Sequence, residues 1–239
     1  MANTYFQFKQ FTIQQQHCAM KVCTDACLFG AWVSEKITDS SIEQIIDIGA
    51  GTGLLSLMLA QNSLVSITAI EIQPLAAMQC NQNFAASSFH EQLHVACCDV
   101  LDYHPTGLAD LIICNPPFFS GDLTSPNEAS NIAKHDAGLS LAALAASCNR
   151  LSNDGGLVAL LLPCLRANEM KLLMRDNHFY TVSEAIVKHT ELHKPFRAMI
   201  IFDRKLPETV TKETIVIKDE LQQYSPRYKA LLHYYYLDL

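Results

Sequence analysis

The chain has 239 residues, 49% of them hydrophobic and 17% charged, with a net charge of −7. That much apolar material fills one sizeable core, so one large α/β domain is expected rather than two small ones. The longest uninterrupted apolar run, Leu157 to Leu162, is far short of the ~18 residues of a membrane span, and the acidic balance disfavours an equally acidic partner across most of the surface.

The first residues, MANTYFQFKQF, lack the basic and apolar regions of a secretory signal, which predicts a cytoplasmic protein. The nine cysteines are odd in number and scattered, with no CxxC. The adjacent pair Cys97–Cys98 suits neither an ordinary disulfide nor a zinc site. His17, Cys18, Cys23 and Cys27 form the only loose cluster, so no metal is expected and the thiols read as small buried hydrophobes. Charge is distributed unevenly. Residues 1–163 carry 5 Lys/Arg against 14 Asp/Glu, whereas residues 164–239 carry 12 against 10. The late basic residues fall in small sets, Lys188/Lys194/Arg197, Arg204/Lys205 and Arg227/Lys229, and an anionic macromolecule would dock along that end.

From residue 44 onward, short apolar runs alternate with helical patterns. IIDIG precedes the helical GLLSLMLAQN, and VSITAIE precedes PLAAMQCNQNFAAS. LHVACCD and DLIICN follow, then the helical SLAALAASCNRL and the run GLVALLLP. Nearly continuous apolar strands separated by helices predict a doubly wound, mostly parallel sheet covered on both faces. After the helical LRANEMKLLMRDN, the stretches YTVSEAIVKHT and RAMIIFDR are joined by ELHKPF, which is too short for a crossover helix. These two should therefore pair antiparallel, giving seven strands in all with a C-terminal antiparallel hairpin. PRYKALLHYYYLDL reads as a short helix whose leucines and tyrosines pack back on the domain. The expected organisation is a single domain. Residues 1–43 form a segment covering the ligand, 44–163 the binding core, and 164–239 the antiparallel strands and last helix, facing any RNA.

DIGAGTG, Asp47 to Gly53, lies directly between the first core strand and helix. Glycines there permit positive φ and let a ligand approach the polarised helix N-terminus. Glu71 ends the next strand, where a carboxylate accepts the hydroxyls of a ribose. The spacing Gly49-x-Gly51-x-Gly53 departs from the GxGxxG of dinucleotide turns. Asp47 would repel a pyrophosphate but suits the ammonium of an amino-acid-bearing nucleoside. The expected cofactor is therefore S-adenosylmethionine rather than NAD. Asp99, after the third strand, is placed to accept from the adenine amine, with a turn or helix-cap role as the alternative.

The fourth strand ends in NPPF, Asn115 to Phe118, at the edge where open α/β sheets bind ligands. A ring-conjugated amine is a poor nucleophile because its lone pair is delocalised. Two acceptors, the Asn115 side-chain oxygen and the Pro116 carbonyl, would draw out its N–H groups and stabilise the charge that develops on nitrogen. Pro116 and Pro117 hold those oxygens with little reorganisation, and Phe118 offers a face for a flipped-out base. Phe119 reads as loop packing.

These residues resemble the class I S-adenosylmethionine-dependent methyltransferases, and among them the amino methyltransferases with an (N/D/S)PP(Y/F) motif. More narrowly, MKVCTDACLFGAW, DIGAGTGLLSLMLAQ, NPPFF, AKHDAGLSLAAL and YKALLHYYYLDL are similar to the bacterial tRNA (adenine-N6)-methyltransferases acting at position 37 of valine tRNA. The resemblance covers residues from about 20 to 239. It implies Asp47, Gly49, Gly51 and Gly53 around the methionine moiety, Glu71 on the ribose, Asp99 on the adenine, and Asn115 to Phe118 on the target base. Lys21, Thr24 and Asp25 fall in the segment packed over the cofactor. Lys134, His135, Lys188, Lys194 and Arg197 are candidate RNA contacts. Cys23 stands where relatives usually carry glycine, and Lys134 where many carry arginine. The implied enzyme is a monomer that takes a tRNA substrate and needs neither membrane nor metal.

Other chemistries share the clamp. Protein-glutamine N5-methyltransferases place a helical recognition domain before the glycine turn, and only 46 residues precede Asp47 here. Ribosomal RNA guanine-N2 methyltransferases often carry a duplicated domain, and DNA adenine methyltransferases a target-recognition domain, neither of which is visible. A cofactor-binding scaffold without chemistry is the non-enzymatic alternative, and an intact Asn115 argues against it.

Overall fold

A computed structural model describes residues 3–18, 20–38, 41–116 and 139–239. Ten strands are present among the described residues. β1 (Tyr5–Gln7) and β2 (Thr12–Gln14) form a small antiparallel hairpin. The other eight make one sheet: β3 (Gln44–Ile48), β4 (Ser66–Ile70), β5 (Leu93–Ala96), β6 (Ala109–Cys114), β7 (Ser152–Pro163), β8 (Tyr180–Lys188), β9 (Arg197–Asp203) and β10 (Thr211–Val216). Their order is β10-β8-β9-β7-β6-β3-β4-β5. Every pairing is parallel except those of β9, which runs antiparallel to both β7 and β8. The doubly wound sheet and its C-terminal antiparallel pair are as expected. An eighth strand, β10, extends the edge by pairing parallel to β8. Its sequence, TKETIV, buries only Ile215, so its apolar content gives little sign of a strand.

The helices are α1 (Thr24–Lys36), α2 (Leu54–Ala60), α3 (Pro74–Ala85), α4 (Leu141–Leu151), α5 (Cys164–Asp176) and α6 (Pro226–Leu232). Proline at the first position starts α3 and α6 without wasting a donor. Ser140 caps α4 by accepting from Ala143 N, and Ser225 caps α6 by accepting from Tyr228 N.

Alternation along the strands divides the core between the two faces of the sheet. Ile45, Ile67, Leu111, Ile113, Leu161 and Ile201 pack with α1, α2 and α6. Ile46, Ile48, Ile112, Cys114, Leu160 and Ile200 pack with α4 and α5. Burying each of these larger aliphatic side chains is worth about 1.5–3 kcal/mol, which fixes both the layers and the strand register.

The N-terminal hairpin closes one face. Phe8 and Phe11 stack at 4.5 Å, and Phe8 lies 5.9 Å from the ring of Tyr236. Lys9 N donates to Tyr235 O. On the other side Asn83 treats β2 as a strand neighbour: its Oδ1 accepts from Gln14 N and its Nδ2 donates to Gln14 O, both at 2.9 Å. The same Nδ2 also donates to Thr52 O inside the glycine turn. The hairpin and that turn are therefore tied to one buried amide.

Candidate active site

The parallel register lines up the strand ends. Cys114 pairs with Ile48, and Ile48 with Ile70, so Asn115, Gly49 and Glu71 follow one another across three adjacent strands spaced about 4.8 Å apart. Gly49 N and Ala50 N both donate to Ile70 O, turning the chain away from the sheet toward α2. This is the point at which strand order reverses, where a crevice opens in such folds.

The three glycines serve two purposes. All have positive φ, 71° at Gly49, 56° at Gly51 and 81° at Gly53. A Cβ on Gly53 would lie 2.5 Å from Phe84 Cε1 and 2.8 Å from Cys80 Sγ, so Gly53 lets α3 pack against the turn. A Cβ on Gly49 or Gly51 would meet nothing within 4 Å. The bare backbone on that side faces open space.

Glu71 is buried, with Oε2 accepting from Gly51 N at 2.8 Å and Oε1 from Gln73 N at 2.9 Å. Each carboxylate oxygen retains a second lone pair, so a pair of vicinal hydroxyls still finds two acceptors. Asp99 Oδ1 accepts from Leu101 N at 2.9 Å and its carbonyl accepts from Asp102 N. This is the turn role weighed from the sequence, and it leaves Oδ2 for an exocyclic amine. Asp47 lies deeper than expected. It is 1% exposed, and Oδ2 accepts from Ser56 N at 3.2 Å and Ser56 Oγ at 2.7 Å, while Oδ1 has no partner among the described residues. Burial pushes its carboxyl up to about 7, against the pull of the Ser56 bonds. An open-faced glycine turn, a carboxylate with two spare acceptor positions and an orphaned carboxylate oxygen fit an amino-acid-bearing nucleoside such as S-adenosylmethionine.

On the substrate side, Asn115 Nδ2 donates to Met20 Sδ at 3.8 Å. Its Oδ1 is shut from solvent and has no partner among the described residues. Pro116 is buried behind it. Pro117, Phe118, Lys134 and His135 lie outside the described residues, as does Phe119. Met20 is held by the segment that Gln15 anchors: Gln15 Oε1 accepts from Val22 N, and its Nε2 donates to Asn3 O. Sequence reasoning gave Met20, Gln15, Asn83 and Ser56 no role: Met20 and Ser56 fall inside quoted motifs, but the contacts of all four are made by tertiary structure.

Thr24 and Asp25 open α1. Asp25 Oδ2 accepts from Arg197 Nε at 2.7 Å, so a residue assigned to the cofactor and one assigned to RNA bond to each other. Cys23, the α1 N-cap, has φ −130° and ψ 154°, extended geometry that needs no glycine. Lys188 Nζ donates to Glu191 O, and Lys194 is exposed. Two of the late basic sets have internal work. Arg204 donates to Asn149 O and Asn153 O at the end of α4, and Arg227 is paired with Glu35 and Glu213.

Burial pushes the Cys18 thiol up to about 11 and Cys23 and Cys27 up to about 12. Among the described residues no group of three or more His, Cys, Asp and Glu is placed to hold a metal ion. None of the described helices is long and apolar enough to cross a membrane.

The sequence pattern of the Methyltransferase small domain family matches residues 31–142. A crystal structure of a predicted O-methyltransferase from Agrobacterium tumefaciens shares the fold, with a TM-score of 0.68 over 87% of this chain and 95% of that one, at 15% identity. A tRNA1(Val) (adenine(37)-N6)-methyltransferase of Cytophaga hutchinsonii is 37% identical over 100% of both chains. One of Dyadobacter fermentans is 36% identical over 98% of both. The chain belongs to the tRNA1(Val) (adenine(37)-N6)-methyltransferase family. In this chain Asn115 and the glycine turn lie at neighbouring strand ends, and Asp25 is joined to Arg197.

Proposed function

We propose that the protein methylates the exocyclic N6 amine of adenine 37 in a valine tRNA, in the cytoplasm. The observation that carries this reading is the Asn115 Oδ1 acceptor, buried and without a partner among the described residues, one strand from the open face of the glycine turn. When bound, S-adenosylmethionine supplies an electrophilic methyl group. Gly49 and Gly51 leave room for the cofactor against the backbone, Glu71 takes its ribose, and Asp99 Oδ2 takes its adenine amine.

Asn115 Oδ1 and the Pro116 carbonyl accept the two N–H groups of the target amine. This pulls nitrogen out of conjugation and stabilises the positive charge that grows there. An unpaired acceptor is suited to this: its desolvation cost is carried by the fold and recovered when the amine arrives. Pro117 and Phe118 complete the clamp, with Phe118 as the stacking face. The alkylated amine is acidic enough to release its proton to water, so no general base has to precede transfer. The high-pKa thiols nearby are protonated at neutral pH and take no part.

Incubation with labelled S-adenosylmethionine and total tRNA from a strain lacking the gene, followed by nucleoside mass spectrometry, tests the reading. The expected product is N6-methyladenosine confined to valine tRNA. Label on guanine, or on a protein with none on RNA, would contradict it.

A further inference from the structure

A second groove lies along the same sheet edge, beyond Asn115. It has a volume of about 410 Å³ and is built over the ends of β8, β9 and β10 and the start of α1. One wall is aromatic: His189 stacks on Phe196 with centroids 4.0 Å apart and planes 6° apart, and His193 sits edge-on to His189 at 6.0 Å. Tyr224 forms the other wall and stacks on Tyr228 at 4.6 Å, with Lys218 Nζ 5.6 Å from its ring.

The rim is pre-organised. Asp219 Oδ1 accepts from Leu221 N and Gln223 N, Asp219 N donates to Gln223 O, and Lys218 bridges to Tyr224. Acidic and basic groups are mixed at this rim, and Glu220 is exposed. Asp25 bonds Arg197, Asp219 holds the turn, and Glu191 lies 3.8 Å from Lys188. Half-buried Lys218 and exposed Lys194 are the cations here that have no ion pair among the described residues.

Flat rings on two walls with a cation between them suit a base and its phosphate. The register sets the distance. Asn115 follows β6, and the groove lies two to four strands away across β7, β9, β8 and β10, about 10–19 Å. That is too far to be part of the pocket for the reacting base, but within reach of the next nucleotides on the same strand.

We infer that this groove is a subsite for a nucleotide of the substrate RNA flanking the target adenosine, its base packed on His189 or Tyr224 and its phosphate met by Lys218. The inference rests on the proposed RNA methylation and goes beyond it by naming where the RNA chain continues. Neither Tyr224, His189 nor Lys218 stood out in the sequence as an RNA contact.

The test is methyl transfer to valine tRNA by the full chain and by His189→Ala/Tyr224→Ala. The double variant should raise KM for tRNA about 10-fold or more, the scale of a lost base stack. Its kcat should stay within about twofold and its affinity for S-adenosylmethionine should be unchanged. Tyr224→Phe should restore KM, because a ring with no hydroxyl still stacks. Lys218→Ala, which removes the half-buried ammonium beside Tyr224, should flatten the salt dependence of tRNA binding by about one unit of slope. A wild-type KM in the double variant together with an unchanged salt slope in Lys218→Ala would overturn the subsite while leaving the methylation reading standing. A wild-type enzyme that methylates no RNA would remove both.

Discussion

Ser56 Oγ donates to Asp47 Oδ2 at 2.7 Å, fastening the buried carboxylate at the end of β3 to the first turn of α2. Burial raises this carboxyl to about 7, well above the ~4 of an unfolded aspartate. Between those values the folded chain holds a proton that the unfolded chain has lost. This group's stabilising contribution is therefore fully present below pH ~4 and is lost as pH rises toward about 7. Asp47→Asn should remove that dependence. Thermal melts at pH 5 and pH 8 are expected to show a larger loss in the wild type than in the variant, by at most about 3 kcal/mol. Equal losses would mean another group titrates.

The glycine turn predicts opposite outcomes for substitutions two residues apart. Gly53→Ala drives a methyl into Phe84 and Cys80 at positive φ, and should cost several kcal/mol, read as a large fall in Tm. Gly51→Ala meets open space, so strain of about 1 kcal/mol is the only folding penalty. That methyl enters the cofactor's side of the turn, and calorimetry should show affinity for S-adenosylmethionine falling about 10-fold or more. A Gly51→Ala protein with normal affinity would mean the ligand lies elsewhere.

Met20 is expected to act through Asn115. Its sulfur accepts from Asn115 Nδ2, and Oδ1 has no partner among the described residues. Met20→Leu keeps the bulk and loses the acceptor, so kcat should fall roughly 3- to 10-fold, about the worth of one neutral hydrogen bond. Cofactor affinity should be unchanged. A fall in cofactor affinity with kcat intact would assign Met20 to the cofactor site.

Arg227 joins three elements by donating to Glu35 of α1 and Glu213 of β10, while Trp32 Nε1 donates to Glu213 at 2.8 Å. Arg227→Gln leaves Glu35 without its ion pair and Glu213 with only Trp32 and Lys36, and should destabilise the chain by about 1 kcal/mol in urea titration. Its turnover on tRNA should match the wild type. A large rise in KM would return Arg227 to the RNA surface to which its charge alone had assigned it.

The sequence made the sheet, the glycine turn and the Asn115 corner legible because each depends on local pattern: apolar runs, glycine spacing, prolines after a strand. β1 and β2 escaped because three residues are too few to show alternation, and β10 because an edge strand with one buried residue looks like surface. Charge was the poorest guide. Arg197 and Arg227 read as RNA-facing, yet Arg197 meets Asp25 from 172 residues away and Arg227 meets Glu35 from 192. Such pairings are made by tertiary structure and leave no trace along the chain. Asp47 was identified by its place in the motif, but the Ser56 bonds and burial that set its chemistry emerge only with the fold.

The most direct test of the account is the single-turnover rate of Asn115→Ala beside the wild type, at saturating S-adenosylmethionine, with the methylated nucleoside identified in both. Loss of the buried Asn115 Oδ1 acceptor should slow transfer by about 10²–10³-fold while cofactor affinity stays within a fewfold of normal. Near-normal transfer, or lost cofactor binding as the cause of the defect, would contradict the placement of the adenine amine at Asn115.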